Sequence, residues 1–275
     1  MIIHLVDGTY ELFRHFYGIR RFKKTDPPFG AVSGVLSMVA QLLEDDATHV
    51  GVATDHIIES FRNTLWAGYK TGAGIERALR AQFVPLEEAL AAMGVAVWPM
   101  VELEADDALA SAAYLATQDS RVEKVCIWTP DKDLAQCVVG DRVVQVDGRR
   151  GVIRDAAAVR AKFGVDPELI PDYLALVGDA ADGYPGISGC GAKTAAQLLN
   201  RHGPLENFGP EIMTEENRGL ALLFKDLATL RTDAPLFKDV DELRWRGPTA
   251  DFAEMAKKID SARLLTRIKR LEKRM

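Results

Sequence analysis

The chain has 275 residues, 48% of them hydrophobic, and a formal net charge of −6. That is enough apolar material for a full core, organised as one large α/β domain with a smaller helical region rather than several equal domains. Its apolar runs are about strand length, which excludes a membrane-spanning helix. The opening MIIHLVDG lacks the basic region and cleavage site of a signal peptide and reads as a first strand. Cys126, Cys137 and Cys190 form no CxxC pair, as expected of reduced, mostly buried thiols in a cytoplasmic protein.

In chain order, Ile2–Val6, His49–Thr54, Val95–Met100, Lys124–Trp128 and Arg142–Val146 read as strands. Between them Val32–Leu43, Ile75–Met93 and Asp106–Ala116 carry apolar residues at three- and four-residue spacing, as amphipathic helices do. This alternation predicts an α/β fold with a mostly parallel, doubly wound sheet over residues 1–155. From 156 to 275 the pattern is helical only, broken by Gly and Pro clusters at 178–191, 203–210 and 247–248. The last helix, Ser261–Arg274, is rich in Arg and Lys, by default a solvated face.

The acids fall at informative places. Asp7 ends IIHLVD and Asp55 ends HVGVATD; Glu104, Asp106 and Asp107 lie in ELEADD, and Asp131 and Asp133 in PDKD, each just past a strand. Ligands of open α/β sheets bind outside the carboxyl ends of the strands, so these seven acids are delivered to one edge. Asp179 and Asp182, in GDAADGYPG, can fold back over it. A single acid there is usually a cap or solvated, but many together repel unless cations neutralise them. Oxygen ligands without His or Cys select Mg²⁺ or Mn²⁺. Two such ions about 3.5–4 Å apart clamp the attacking and leaving oxygens of an in-line phosphoryl displacement. Setting these nine acids aside leaves 31 of the 40 against 34 basic residues, so the net charge does not exclude a nucleic-acid partner.

The segment PGISGCGAKTAAQLL at 185–199 adds a candidate DNA grip. Gly186, Gly189 and Gly191 permit a tight turn and close backbone approach. A helix then starts near Ala192, where free amides, Lys193 and Thr194 suit a phosphate. The ordinary alternative is a Gly-rich helix–helix turn; a P-loop is excluded by spacing.

With these motifs in order, the chain resembles the 5′-nuclease family of flap endonucleases, bacteriophage 5′-exonucleases and the N-terminal exonuclease domain of bacterial DNA polymerase I. The resemblance runs from about Ile2 to Asp233. It rests on LVDG at 5–8, THVGVATD at 48–55, FRNTLWAGYK at 61–70, EADD at 104–107, TPDKDLAQ at 129–136, KFGVDPELIPDYLALVGDAADGYPG at 162–186 and GCGAKTAAQLL at 189–199. It implies that Asp7, Asp55, Glu104, Asp106, Asp107, Asp131, Asp133, Asp179 and Asp182 are all metal-site acids, a full set that implies catalysis. It also implies a helical arch at about 56–80, a helix-hairpin-helix region within 156–275 and a potassium site formed by main-chain carbonyls near Leu176, Val177, Pro185, Ile187 and Cys190. Two departures stand out. Gly183 occupies the place where the family usually has Asn, and TGAGIERALR follows Lys70 where more basic residues and proline are usual. The first loses a side-chain amide beside the second metal; the second suggests a short arch.

Arg62, Tyr69, Lys70, Arg77 and Arg80 form a basic stretch with one aromatic. Arg62 and Lys70 are expected to offset charge on the scissile phosphate, Tyr69 to stack a base, and Arg77, Arg80 and Arg14 to touch DNA, against the plainer reading of a solvated helix face. His4, His49, Trp98 and Trp128 read as structural. The expected activity is hydrolysis at a 5′ flap, overhang or branch, by a monomer, leaving a 5′-phosphate. A flap-binding protein without efficient cleavage, a PIN-like ribonuclease and a small-phosphoester phosphatase are the competing readings.

Overall fold

A computed structural model describes residues 1–20 and 28–274, except the side chains of residues 19 and 20. In chain order the elements are β1 (Ile2–Asp7), α1 (Gly8–Arg20), α2 (Gly30–Glu44), β2 (His49–Asp55), α3 (Arg62–Leu65), α4 (Arg77–Arg80), α5 (Phe83–Ala92), β3 (Ala96–Met100) and α6 (Ala105–Thr117). There follow β4 (Lys124–Trp128), β5 (Val143–Asp147), β6 (Val152–Arg154), α7 (Ala156–Phe163), α8 (Ile170–Val177), α9 (Ala192–His202), α10 (Glu215–Ala228), α11 (Phe252–Lys258) and α12 (Ala262–Glu272). Four short 3-10 turns lie between them.

The sheet order is β3-β2-β1-β4-β5-β6, parallel except for the β5–β6 pair. β1 lies between β2 and β4, with Ile3, Leu5 and Val6 fully buried, as its largely apolar run allows. The strand order reverses between β1 and β4, so the crevice at their carboxyl ends, beside Asp7 and Thr129, is the expected ligand position. β3 carries Pro99, tolerated because β3 pairs with β2 alone.

Two helical readings change. The stretch read as one helix over 75–93 is two, α4 and α5. Pro85 has no amide to donate back to Ala81, so a new helix starts at Phe83 with the proline in its first turn, where that hydrogen is not missed. β6, three residues long with Val152 and Ile153 exposed, has no sequence pattern to announce it.

The core falls into three clusters. One lies under α1, α2 and α5; one lies between α6 and the other sheet face; the third fills the helical region around α8, α9 and α10. The last helices of the 156–275 region pack back on the α/β core. Phe252, Ile259, Leu264, Ile268 and Leu271 belong to the first cluster, with α12 packed on α2. Among the described residues no helix is long and apolar enough to cross a membrane.

Candidate active site

The sheet edge is built as the strand ends require. Asp7 closes β1 and is held by the Tyr10 amide at 2.8 Å and the Thr129 hydroxyl at 3.0 Å. Asp55 closes β2 and accepts the Ala105 amide at 2.8 Å. Asp106 stands in the first turn of α6, whose positive end favours a carboxylate. Asp131, exposed, accepts the Asp133 amide at 3.0 Å. Oxygens of Asp133, Asp179 and Asp182 lie within 4.8 Å of one another, all buried. Asp133 Oδ1 has no hydrogen-bond partner among the described residues.

These groups feel one another. Burial, then the charges of Asp55 and Asp131, push Asp7 up to about 7. Burial, then Asp131 and Asp7, push Asp106 well above the usual carboxylate range. Burial, Asp131, Asp182 and Asp179 do the same to Asp133. The acids of distant segments therefore share one electrostatic site, and such a site asks for cations. Two lysines partly answer. Lys70 Nζ bridges Glu104 at 2.7 Å and Asp182 at 2.9 Å, and Lys132 pairs with Asp179 at 2.7 Å. Lys132 was missed by the sequence reading, although it stands between two cluster acids in PDKD.

Three expected roles are corrected. Asp107 is fully buried, and both its oxygens are occupied: Arg62 binds it twice at 2.7 Å, and the amides of Glu104 and Arg231 each donate at 2.9 Å. No lone pair remains for a metal. Arg62, 1% exposed, also donates to Glu104 and to the carbonyls of Leu227 and Thr229. It cannot reach a phosphate; it knots α3, α6 and the end of α10 together. Tyr69 is buried, with its hydroxyl 3.3 Å from Glu104, so it offers no face for a base to stack on. A sequence signal for Asp107 existed: Glu104 and Asp107 stand at the N-cap and N3 of α6 and form a reciprocal capping box.

The other expected contacts lie further out. Arg77 and Arg80 are exposed on α4, while Arg14 is paired with Glu11. In the hairpin, Gly186 has φ 70°, and a side chain there would stand 2.5 Å from the Val177 carbonyl carbon. Gly189 and Gly191 face open space. The N-terminus of α9 has no side-chain cap, which leaves its first amides free beside the exposed Lys193 and Thr194. Of the carbonyls expected at a potassium site, that of Leu176 accepts the Ile187 amide at 2.8 Å; Cys190 is half-buried. His4 receives the Trp128 indole hydrogen at 3.1 Å, a packing role for both.

Comparison with known proteins agrees with this architecture. Residues 2–164 match the family model for the 5′-3′ exonuclease N-terminal resolvase-like domain, and residues 165–251 that for the 5′-3′ exonuclease C-terminal SAM fold. The chain belongs to the 5′-3′ exonuclease family. Among its relatives, the 5′-3′ exonuclease of Aquifex aeolicus is 30% identical over 282 residues, covering 98% of this chain and 95% of the relative. The DNA polymerase I of Pseudomonas aeruginosa is 36% identical over 259 residues, covering 87% of this chain and 28% of that protein. The chain thus spans little more than a quarter of the polymerases it matches. In three dimensions it is similar to zinc-bound T5 5′-exonuclease, with a TM-score of 0.65 at 18% identity over 98% of both chains. It also shares the fold of the Rad2 catalytic core solved with DNA substrate, with a TM-score of 0.63 at 14% identity over 98% of this chain and 91% of that one.

Proposed function

We propose that this chain is a divalent-metal-dependent, structure-specific 5′ nuclease that hydrolyses DNA phosphodiesters near a 5′ end, as an exonuclease, a flap endonuclease or both. The observation that carries the reading is the carboxylate edge with its buried, partnerless Asp133 oxygen. An unpaired buried acceptor among like charges fits a hard cation and is costly without one. Asp7, Asp55, Asp106 and Asp131 on the sheet edge, with Asp133, Asp179 and Asp182, would hold Mg²⁺ or Mn²⁺. Glu104, expected among the metal-site acids, is paired with Lys70 and would serve as its counter-charge beside the ions. When bound, a pair of such ions supplies a water of lowered pKa and charge to stabilise a leaving oxygen.

The chain's own residues do the rest. Lys70 is half-buried at the mouth of the cluster, and Glu104 and Asp182 keep it charged against the cost of burial. It is the cation placed to meet a scissile phosphate. The α9 N-terminus with Gly189, Gly191, Lys193 and Thr194 offers amides and charge to duplex backbone, so recognition reads structure rather than sequence. A potassium ion at the hairpin carbonyls would brace that grip.

The test is a labelled 5′-flap duplex with Mg²⁺ or with EDTA, using the native chain and an Asp131→Ala, Asp133→Ala double variant. Cleavage requires Mg²⁺, and the double variant is about a thousandfold slower or worse, the scale of several kcal/mol of transition-state stabilisation. Metal-independent cleavage, or an active double variant, would overturn the reading. Gly183 gives no support to a binding-only protein. It has φ 87°, and a side chain there would stand 2.0 Å from the Gly68 carbonyl oxygen.

A further inference from the structure

Lys70 sits on a long flexible stem, so its place depends on how its backbone is held. The chain after α3 turns toward the loop between Asp179 and Tyr184 and is fastened to it at several points. The Lys70 amide donates to the Asp182 carbonyl at 2.9 Å. The Trp66 indole N–H donates to the Gly183 carbonyl at 3.0 Å. Gly68 and Gly183 approach backbone to backbone: Gly183 has φ 87°, and a Cβ there would fall 2.0 Å from the Gly68 oxygen. Only glycine fits, for its φ and for the space alike. The indole is itself fixed, edge-on to Phe224 at 5.2 Å, and Phe224 stacks on Tyr184 at 5.5 Å. On the far side Asn63 donates to the Lys70 carbonyl at 3.0 Å.

We infer that Trp66 and Gly183 form a clasp that sets Lys70 between the sheet-edge acid Glu104 and the hairpin-loop acid Asp182, making both positioning residues for cleavage. Neither touches the carboxylate cluster by its side chain, and neither needs to contact DNA. They act by fixing the main chain on both sides of Lys70. An indole hydrogen bond in a partly enclosed place is a directional constraint rather than a generic contact. The glycine contact adds a second constraint of a different kind, a distance that any side chain would lengthen. This inference rests on the nuclease reading of Lys70.

Two substitutions separate the constraints. Trp66→Phe keeps the ring against Phe224 and removes the donor; Gly183→Ala forces residues 66–70 away. Under single-turnover conditions on a 5′-flap duplex with Mg²⁺, the first slows cleavage roughly tenfold, the worth of one hydrogen bond. The second slows it roughly a hundredfold, as misplacement of a charged group by about an ångström does. Affinity for the same duplex with Ca²⁺ in place of Mg²⁺ is unchanged in both. In a Lys70→Ala background both losses disappear, and hydrogen exchange of the Lys70 amide quickens in both variants while α6 stays protected. Losses that persist in full without Lys70, or an unchanged Lys70 amide, would overturn the clasp. If the native chain cuts no flap, the nuclease reading fails instead, and amide exchange still decides whether the clasp exists.

Discussion

Two charged regions lie side by side at the start of α6 and solve opposite problems. Asp106 faces the cluster, where burial and like charges drive its proton affinity up. Asp107, its neighbour, turns inward to a matched guanidinium and two backbone amides. About 100° separates successive residues on a helix, so one step decides whether a carboxylate is left wanting a cation or is fully satisfied. A run of acids is therefore not one site. A carboxylate with lone pairs to spare marks the candidate chemistry, whereas one saturated on both oxygens, as Asp107 is, is architecture.

Asp107 is where a single substitution should do most damage. Asp107→Ala leaves Arg62 buried without its main partner, which should cost about 3–5 kcal/mol of stability, read as a lower denaturant midpoint with or without Mg²⁺. Were Asp107 a metal ligand instead, stability in EDTA would barely change and the Mg²⁺ requirement would rise.

The second test uses pH. Asp7 is raised from 3.8 to about 7, and Asp106 and Asp133 are raised too. The folded metal-free chain holds protons that the unfolded chain releases, so this contribution is full below 3.8 and is lost as pH rises through about 7. In EDTA the melting temperature should fall by several degrees between about pH 5.5 and pH 8, since roughly 2–4 °C accompanies each kcal/mol in a chain of this size. Saturating Mg²⁺ should flatten or reverse that slope; an identical slope with and without the ion would mean that the acids do not share it. The smallest effect is expected far from the edge. Lys193→Ala should weaken duplex binding by about a kcal/mol or less and lower its salt dependence by about one counterion, leaving single-turnover cleavage at saturation unchanged.

Much of this was legible in the sequence because the relevant signals are local. Apolar strands with acids at or just past their ends, four times over, predict both a parallel sheet and where its acids gather, and the glycines of 186–191 predict the hairpin. The roles of Arg62, Asp107 and Tyr69 were misread because their partners come from elsewhere. Arg62 meets Asp107 45 positions away and the Leu227 carbonyl 165 away, contacts that periodicity does not encode. Gly183 read as a lost side chain, when the approach of Gly68 is what requires it. β6 escaped notice because three residues, two of them exposed, carry no alternation long enough to see.

The return of α11 and α12 to the first core cluster has a topological result. Helices α7 to α10 leave one compact body and the chain re-enters the same body afterwards, so the hairpin is held at two ends, like a bridge on two piers. Swinging it away from the acid edge would require slack on both sides at once. Under the proposed nuclease function, a duplex gripped at α9 would be kept at a fixed reach from the carboxylates, and that reach would act as a ruler for where along the strand a cut can fall.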